Sequence, residues 1–372
     1  MNVSRCRHLV TMPASATIPS RCVHMRAAVR HMAIDLKQLA ARLKLSPTTV
    51  SRALNGYQDV SAATRQRVTE AAKELGYQPS QAARRLALGR ADAVGIVYPV
   101  EADLMCNPLF LEMIGGVSDR LDGAGFDVLL TVARKRRELR TYERLVRGRR
   151  VDGIIVAHTR VHDERIDFLK RTGLPFIGYG RTAECDDFAW LDFDNEAGSM
   201  LAVNELVVRG HRRIAYVHAP LDLNFASQRH AGYVRAMQAA GLPVMSELVV
   251  LGGVDRRGGF AAGLQLLERA SRPTAILVDN NLGGVGVIRA LLQSGLTIGQ
   301  DISVIVTDGI PADTLLFDQD VASIYQPTAF ASGWTMADML LTLIDGAPLE
   351  HPHVLKQPQF VDGRSIGPAP AN

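Results

Sequence analysis

Ser46-Pro47-Thr48-Thr49-Val50-Ser51-Arg52-Ala53-Leu54-Asn55-Gly56 is the stretch on which the reading of this chain turns. Serine followed by proline sets a cap and a first helical residue, and Asn55-Gly56 supplies a stop. Between them Val50 and Leu54 share one helix face, which leaves small hydroxyls and Arg52 on the other. Upstream, Asp35 caps a segment with Leu36, Leu39, Ala40 and Leu43 at helical spacing, and Leu45 begins the turn into Ser46. Downstream, Ser61 opens a third helix with Val68, Ala71, Ala72 and Leu75 at i, i+3, i+4 and i+7, closed by Gly76. Three short helices with a tight turn after the first make a helix-turn-helix unit. Its second helix presents Thr48, Thr49, Ser51 and Arg52 at an exposed N-terminus, where dipole, hydroxyls and guanidinium suit the major groove of duplex DNA.

Charge divides the chain in the same place. The 372 residues carry a formal net charge of only +4. Residues 1–90 hold 15 Lys and Arg against 4 Asp and Glu, whereas residues 91–372 hold 27 against 34. A basic head on an acidic body directs a polyanionic partner to the head alone. At 47% hydrophobic and 22% charged the composition is that of a soluble globular protein, with length for two or three domains. No run approaches the roughly 18 apolar residues of a spanning helix, which excludes a membrane protein. Cys6, Cys22, Cys106 and Cys185 are too scattered for a disulfide scaffold and include no C-x-x-C pair, so no metal is expected and a reducing cytoplasm is the default. Residues 1–31, with five arginines, two prolines and no acid, are expected to be a disordered basic extension or a start-site artefact, translation then beginning at Met25 or Met32. A transit peptide shares that composition.

From Ala93 onward, runs rich in Val and Ile alternate with amphipathic segments. Strands are expected over 94–100, 127–132, 153–156, 175–178, 190–193, 213–218, 274–278 and 303–306, with helices over 109–121, 196–208, 230–239 and 260–270. Such alternation implies parallel sheets that bind ligands at strand C-terminal ends. The basic run Arg134 to Arg150 reads as a solvated helix face, because Glu138 and Glu143 interrupt it at helical spacing. Gly283-Gly284-Val285-Gly286 lacks the Lys-Ser/Thr of a phosphate loop, and no G-x-S-x-G or H-E-x-x-H occurs. No enzyme and no cofactor are expected.

Leu39-Ala40, the stretch Ser46 to Asn55, Val60-Ser61-Ala62-Ala63-Thr64-Arg65 and Leu75-Gly76-Tyr77-Gln78-Pro79 together resemble the headpiece of the lactose-repressor (LacI/GalR) family of bacterial regulators. The likeness continues through Asn107-Pro108-Leu109-Phe110, Val151-Asp152-Gly153-Ile154-Ile155, Gly210-His211-Arg212-Arg213-Ile214-Ala215, Arg229-His230-Ala231-Gly232 and Asp301-Ile302-Ser303-Val304, covering residue 33 to about 365. It implies an N-terminal all-α helix-turn-helix headpiece over 32–79 and a hinge helix over 80–90. Residues 91–372 would form an α/β two-lobed periplasmic-binding-protein-like domain with parallel sheets. The lobe boundary is placed near 190, with a return to the first lobe near 322.

The resemblance also assigns residues. Pro47, Thr48 and Arg52 would read base edges, while Ser46, Thr49, Ser51, Asn55, Ser61, Thr64 and Tyr77 would hold phosphates or pack the unit. In the hinge, Ala83 would face the minor groove and Leu86 wedge into it beside its twin, on a pseudo-palindromic operator bound by a homodimer. The C-terminus lacks the leucine heptads of a tetramer-forming bundle. Arg229 matches the family's effector-clamping arginine, its planar fork suited to two neighbouring hydroxyls, although a helix-surface arginine reads the same way. Asn280 and Asp308 follow strands at hydroxyl-binding positions, or cap turns. Phe110 and Phe193 would face a sugar ring or belong to the core. His158, Arg160 and Gln326 fall at cleft-facing loops. Asp279-Asn280-Asn281 and Val306-Thr307-Asp308-Gly309 depart from the familiar family pattern where effector selectivity is set. The implied function is a repressor of a carbohydrate-use operon, released from its operator by a small sugar. The alternatives are a purine-type corepressor and a sugar-binding module that does not bind DNA.

Overall fold

The structure is a computed structural model and describes residues 34–77, 89–99, 107–311, 314 and 320–370. The expected hinge helix, with Ala83 and Leu86, and the 1–31 extension lie outside the described residues. Two compact units result, the second beginning at Gly89.

In the first unit α1 (Leu36–Leu43), α2 (Pro47–Leu54) and α3 (Ala62–Glu74) begin where side chains take up free helix amides. Asp35 and Gln38 cap each other at 2.7 and 2.9 Å. Ser46 accepts from the Thr49 amide at 3.0 Å, and Ser61 from the Thr64 amide at 3.3 Å. Lys44, with φ at 56°, makes the turn out of α1. Leu39, Ala40, Val50, Ala53, Val60, Val68 and Ala72 close the core that these three helices share.

The second unit rests on two six-stranded sheets. The first lobe contains β1 (Ala93–Pro99), β2 (Asp127–Ala133), β3 (Gly153–Val156), β4 (Phe176–Tyr179), β5 (Ala189–Phe193) and, from far along the chain, β11 (His353–Lys356). Their order is β11-β5-β4-β3-β1-β2, all parallel. Helices α4 (Pro108–Asp122), α5 (Glu138–Arg147), α6 (Glu164–Thr172) and α11 (Ala329–Ile344) belong to this lobe. The second lobe contains β6 (Ile214–His218), β7 (Val249–Leu251), β8 (Ala275–Val278), β9 (Ser303–Thr307), β10 (Ser323–Tyr325) and β12 (Gln359–Val361) in the order β12-β10-β9-β8-β6-β7. Only β12 runs antiparallel to its neighbour. Its helices are α7 (Asn195–Val208), α8 (Asn224–Ala239), α9 (Arg256–Leu267) and α10 (Asn281–Gln293). β3, β5, β8 and β9 are buried at every residue, as largely apolar strands covered on both faces should be, and the polar members Asp192, Ser303 and Thr307 are buried with them.

Several elements differ from expectation. The chain leaves the first lobe at Asp194, close to the boundary expected near 190, and returns just after Tyr325, slightly later than the expected 322, because Ser323 and Ile324 still pair with Val306 and Thr307 of β9. A third crossing between β11 and β12 was not anticipated, since strands of four and three residues carry too little alternation to read. Helix α8 begins six residues before His230. Helix α9 spans 256–267 rather than 260–270, because Asp255 caps it through the Arg257 and Gly258 amides at 2.8 Å. Gly259 permits a close helix contact: a Cβ there would stand 2.1 Å from the Gly283 carbonyl oxygen on α10. Glu138, expected on a solvated face, is buried, with its carboxylate on Arg165 at 2.6 Å and on Arg160 at 2.5 Å. Asp163 completes this cluster. Burial alone would raise its carboxyl, but the Arg165 guanidinium at 2.6 Å holds it below the usual range.

Candidate functional site

At the start of α2, Ser46, Pro47 and Thr48 are exposed, as is Arg52 one turn on, whereas Thr49, Ser51, Asn55, Thr64 and Tyr77 are half-buried. The polar half-buried residues serve the unit's own structure. Ser46 and Thr49 share a hydroxyl contact at 2.8 Å, as do Ser61 and Thr64 at 2.9 Å, and Asn55 Nδ2 donates to Ser51 Oγ at 3.4 Å. Tyr77 packs against the core. The exposed surface of α2 is thus a hydroxyl, a proline and a guanidinium over a positive helix end, a surface that can meet phosphates and base edges. Sequence reading missed Asp59, seven residues on, whose carboxylate meets Arg52 Nη2 at 2.5 Å and Nε at 3.2 Å. The Tyr57 ring lies 5.0 Å from the same guanidinium. Arg52 is held before any partner arrives.

In the second unit, the C-terminal ends of the parallel strands of both lobes converge on a cavity of about 170 Å³. Phe110, His158, Phe193, Arg229, Asn280, Asp308 and Gln326 all stand in its wall. Arg160 does not. Its guanidinium is spent on Glu138, and its backbone bridges to Leu223 of the other lobe; the loop position was read correctly, but the direction of the side chain was set by a buried carboxylate 22 residues away.

Arg229, on α8, is 5% exposed and held on three sides. Nε donates to Asn195 Oδ1 at 2.8 Å, Nη1 donates to the Asp279 carbonyl, and Nη2 faces Asp308 Oδ2 at 3.6 Å. The Phe225 ring lies 5.0 Å from the guanidinium. With its amide turned to satisfy both neighbours, Gln326 accepts from Nη2 at 3.0 Å and donates to Asp308 Oδ1 at 3.3 Å. Burial pushes the Asp308 carboxyl up, and Arg229 opposes that rise; Asp279 behaves in the same way, with the Ala219 amide also holding it. The only cation of this array is therefore matched by a carboxylate, and its polar edge offers donors and acceptors side by side.

Much of the apolar wall is aromatic. The Tyr98 and Phe110 rings lie 3.7 Å apart, and Tyr179 meets Phe193 edge-on at 6.2 Å. His158, at φ 51°, brings Nε2 to 3.2 Å from the Tyr98 hydroxyl. Burial, then the nearby Arg165 charge, lowers its pKa to about 4, so it faces the cavity as a neutral imidazole. Asn280 lines the cavity with its amide already used: Oδ1 accepts from the Gly283 amide at 2.7 Å, and Nδ2 donates to the Gly253 carbonyl and to Asp279.

Tyr98, Tyr179, Asn195 and Phe225 of this wall escaped the sequence reading, as did the bridging role of Asn107 and Asn281. Asn107 Nδ2 donates to Asn281 Oδ1 at 3.4 Å, and Asn281 Nδ2 donates back to Asn107 Oδ1 at 3.1 Å, joining the lobes. A second junction has the Asn224 amide donating to the Thr159 carbonyl at 2.9 Å and the Val161 amide to the Asp222 carbonyl at 3.0 Å. The cleft is closed. Asn107-Pro108 is legible as a helix cap, and Asn107 does accept from the Leu109 amide at 3.1 Å, but nothing local signals a partner 174 residues away. Among the described residues, no helix is long and apolar enough to cross a membrane, and no group of three or more His, Cys, Asp or Glu could hold a metal ion.

Residues 35–80 match the family model for bacterial regulatory proteins of the lacI family, and residues 91–364 match that for periplasmic binding proteins and the sugar binding domain of the LacI family. The chain is 37% identical over 335 residues to the HTH-type transcriptional regulator RafR of Escherichia coli, spanning 90% of this chain and 98% of that one. A lac repressor dimer bound to operator and the anti-inducer ONPF superposes with a TM-score of 0.77 at 26% identity, over 89% of this chain and 98% of that one. A complex of the transcriptional regulator CelR with cellobiose gives 0.67 at 30% identity, over 89% and 99%. A helix-turn-helix headpiece followed by a two-lobed, periplasmic-binding-like body is thus both the fold of this chain and what these relatives share, and the chain belongs to the LacI family of DNA-binding transcriptional regulators.

Proposed function

We propose that this regulator is a cytoplasmic repressor that binds a pseudo-palindromic operator as a homodimer, and leaves it when a small neutral sugar occupies the interlobe cavity. α2 would enter the major groove, with residues 80–90 as the hinge between headpiece and body. The observation that carries the effector reading is the Arg229–Asp308–Gln326 array set between aromatic walls. Hydroxyls on adjacent carbons can donate to Asp308 and accept from Arg229, while the apolar face of the ring rests on an aromatic surface. A phosphate or carboxylate would instead meet Asp308 and find no unmatched cation. The cavity binds, and carries out no chemistry.

A thermal-shift panel on the full chain, with mono- and disaccharides, sugar phosphates and purines, tests this reading. A ligand at 100 times its dissociation constant adds about 2.7 kcal/mol to the unit that holds it. A sugar should shift the transition, and Arg229→Ala should abolish that shift while leaving duplex binding through the headpiece in place. A purine as the sole hit would make the ligand a corepressor and refute the sugar reading. An Arg229→Ala protein that keeps the full sugar shift would refute the placement of the site.

A further inference from the structure

The cavity does not end at Asp308 and Gln326. Those two residues, with Leu109, Tyr179 and Phe193, also form one wall of a second cavity of about 160 Å³. Its other boundaries are Glu112 on α4 and the crossing segment that carries Tyr325 and Thr328. Neither chamber alone reaches the roughly 300 Å³ at which pockets for drug-sized ligands begin, whereas the two joined do. Gln326 stands in both linings; it is half-buried, and its two hydrogen bonds are of a kind that a sugar hydroxyl can replace.

We propose that the two chambers are subsites of one site, and that the effector is a neutral oligosaccharide of at least two rings rather than a monosaccharide. The proposal rests on the sugar reading above and adds the length and charge of the ligand. One ring lies between the Tyr98–Phe110 wall and Arg229. The glycosidic link passes Asp308 and Gln326, and the next ring occupies the second chamber. There Glu112 is half-buried and accepts from the Phe330 amide at 3.4 Å, a long contact on one oxygen of a group with about four acceptor positions. Hydroxyls of the second ring donate to this carboxylate, and Tyr325, 45% exposed, supplies an aromatic edge. With Arg229 already matched by Asp308 and Glu112 at the far end, an anionic sugar meets no free cation in either chamber.

Isothermal titration of the full chain provides the test, with glucose and galactose as monosaccharide probes against the α- and β-linked disaccharides built from them. At least one disaccharide should bind tenfold or more tightly than either of its component sugars. Glu112→Ala should reduce that preference by about tenfold, the usual worth of hydrogen bonds to a charged group, and Tyr325→Ala should reduce it in the same direction. A monosaccharide that binds as tightly as every disaccharide containing it would overturn the inference and leave the sugar reading standing, as would a preference untouched by both substitutions. Silence from every sugar would overturn both.

Discussion

The paired amides of Asn107 and Asn281 give the closed cleft a measurable strength. Asn281→Ala removes both bonds of this pair. At about 0.5–1.5 kcal/mol for each neutral hydrogen bond, closure should weaken by roughly 1–3 kcal/mol, or about 5- to 150-fold in the ratio of closed to open forms. Asn107→Ala loses the same pair and in addition the cap on α4, a further cost of about 1 kcal/mol that falls on folding and not on closure. Asn107→Asp keeps the cap and still accepts from Asn281 Nδ2, losing only the bond that Asn107 Nδ2 donates, so it should weaken closure by no more than about 0.5–1.5 kcal/mol without the folding cost. Ligand affinity alone would understate the change. A ligand that needs the closed form binds in proportion to the fraction closed, and that fraction scarcely moves until the open form becomes common. Two readouts are therefore required: the distance between a label on each lobe, without ligand, and the sugar dissociation constant. The single and double alanine variants form a cycle, with an expected coupling near 1 kcal/mol or more in the closure equilibrium. Additivity to within about 0.3–0.5 kcal/mol would show that the two amides are neighbours without energetic consequence, and that closure rests on the 159–161 and 222–224 junction alone.

Two further outcomes are expected. Because the folded pKa of His158, about 4, lies below its ordinary 6.5, the stability it contributes is complete above pH 6.5 and is lost as pH falls toward 4; the full shift corresponds to about 3 kcal/mol, less whatever cavity water screens. His158→Asn, which tolerates the left-handed backbone, should flatten the loss of thermal stability over that window, and an unchanged slope would show that other groups govern it. Asp59→Asn should release Arg52 and tighten duplex binding at low salt by up to about fivefold, the ceiling for an exposed ion pair; weaker binding in a fluorescence anisotropy titration would mean that Asp59 positions Arg52 for its contact.

What could be read from the chain in advance was what depends on near neighbours. Asp35, Ser46 and Ser61 each cap the helix that follows, because a cap is a contact over three residues and local spacing contains it. Arg229, Asp308 and Gln326 came from widely separated positions in family order, and the topology brings them to one edge since all lie on or beyond elements that end at the cleft. Arg160 and Glu138 show where such reasoning stops. Helical spacing sees Glu138 beside Arg134 and Lys135, but its side chain is claimed by Arg165, 27 residues further on, in a buried cluster that spacing cannot register. The short strands β10, β11 and β12 were invisible for a related reason: three or four residues acquire strand character from the neighbours they pair with.

The departure at Asp279-Asn280-Asn281 takes on a different meaning once each side chain is followed to its partner. Read as sequence, three polar residues after a strand at the cleft suggest altered recognition of the ligand. Asp279 instead turns back into its own lobe, where one oxygen accepts from the Ala219 amide and the other from Asn280, while its carbonyl receives Arg229. Asn280 spends its amide on the start of α10 and on the Gly253 carbonyl. Asn281 reaches across to Asn107, and its oxygen also takes the Leu282 amide. With these groups committed inside the protein, the burden of choosing among sugars falls on Arg229, Asp308 and Gln326 and on the aromatic wall. The tripeptide acts one step earlier. It fixes the clamping arginine, starts the helix and fastens the lobes, so substitutions within it should change how readily the cleft closes on every ligand more than which ligand it prefers.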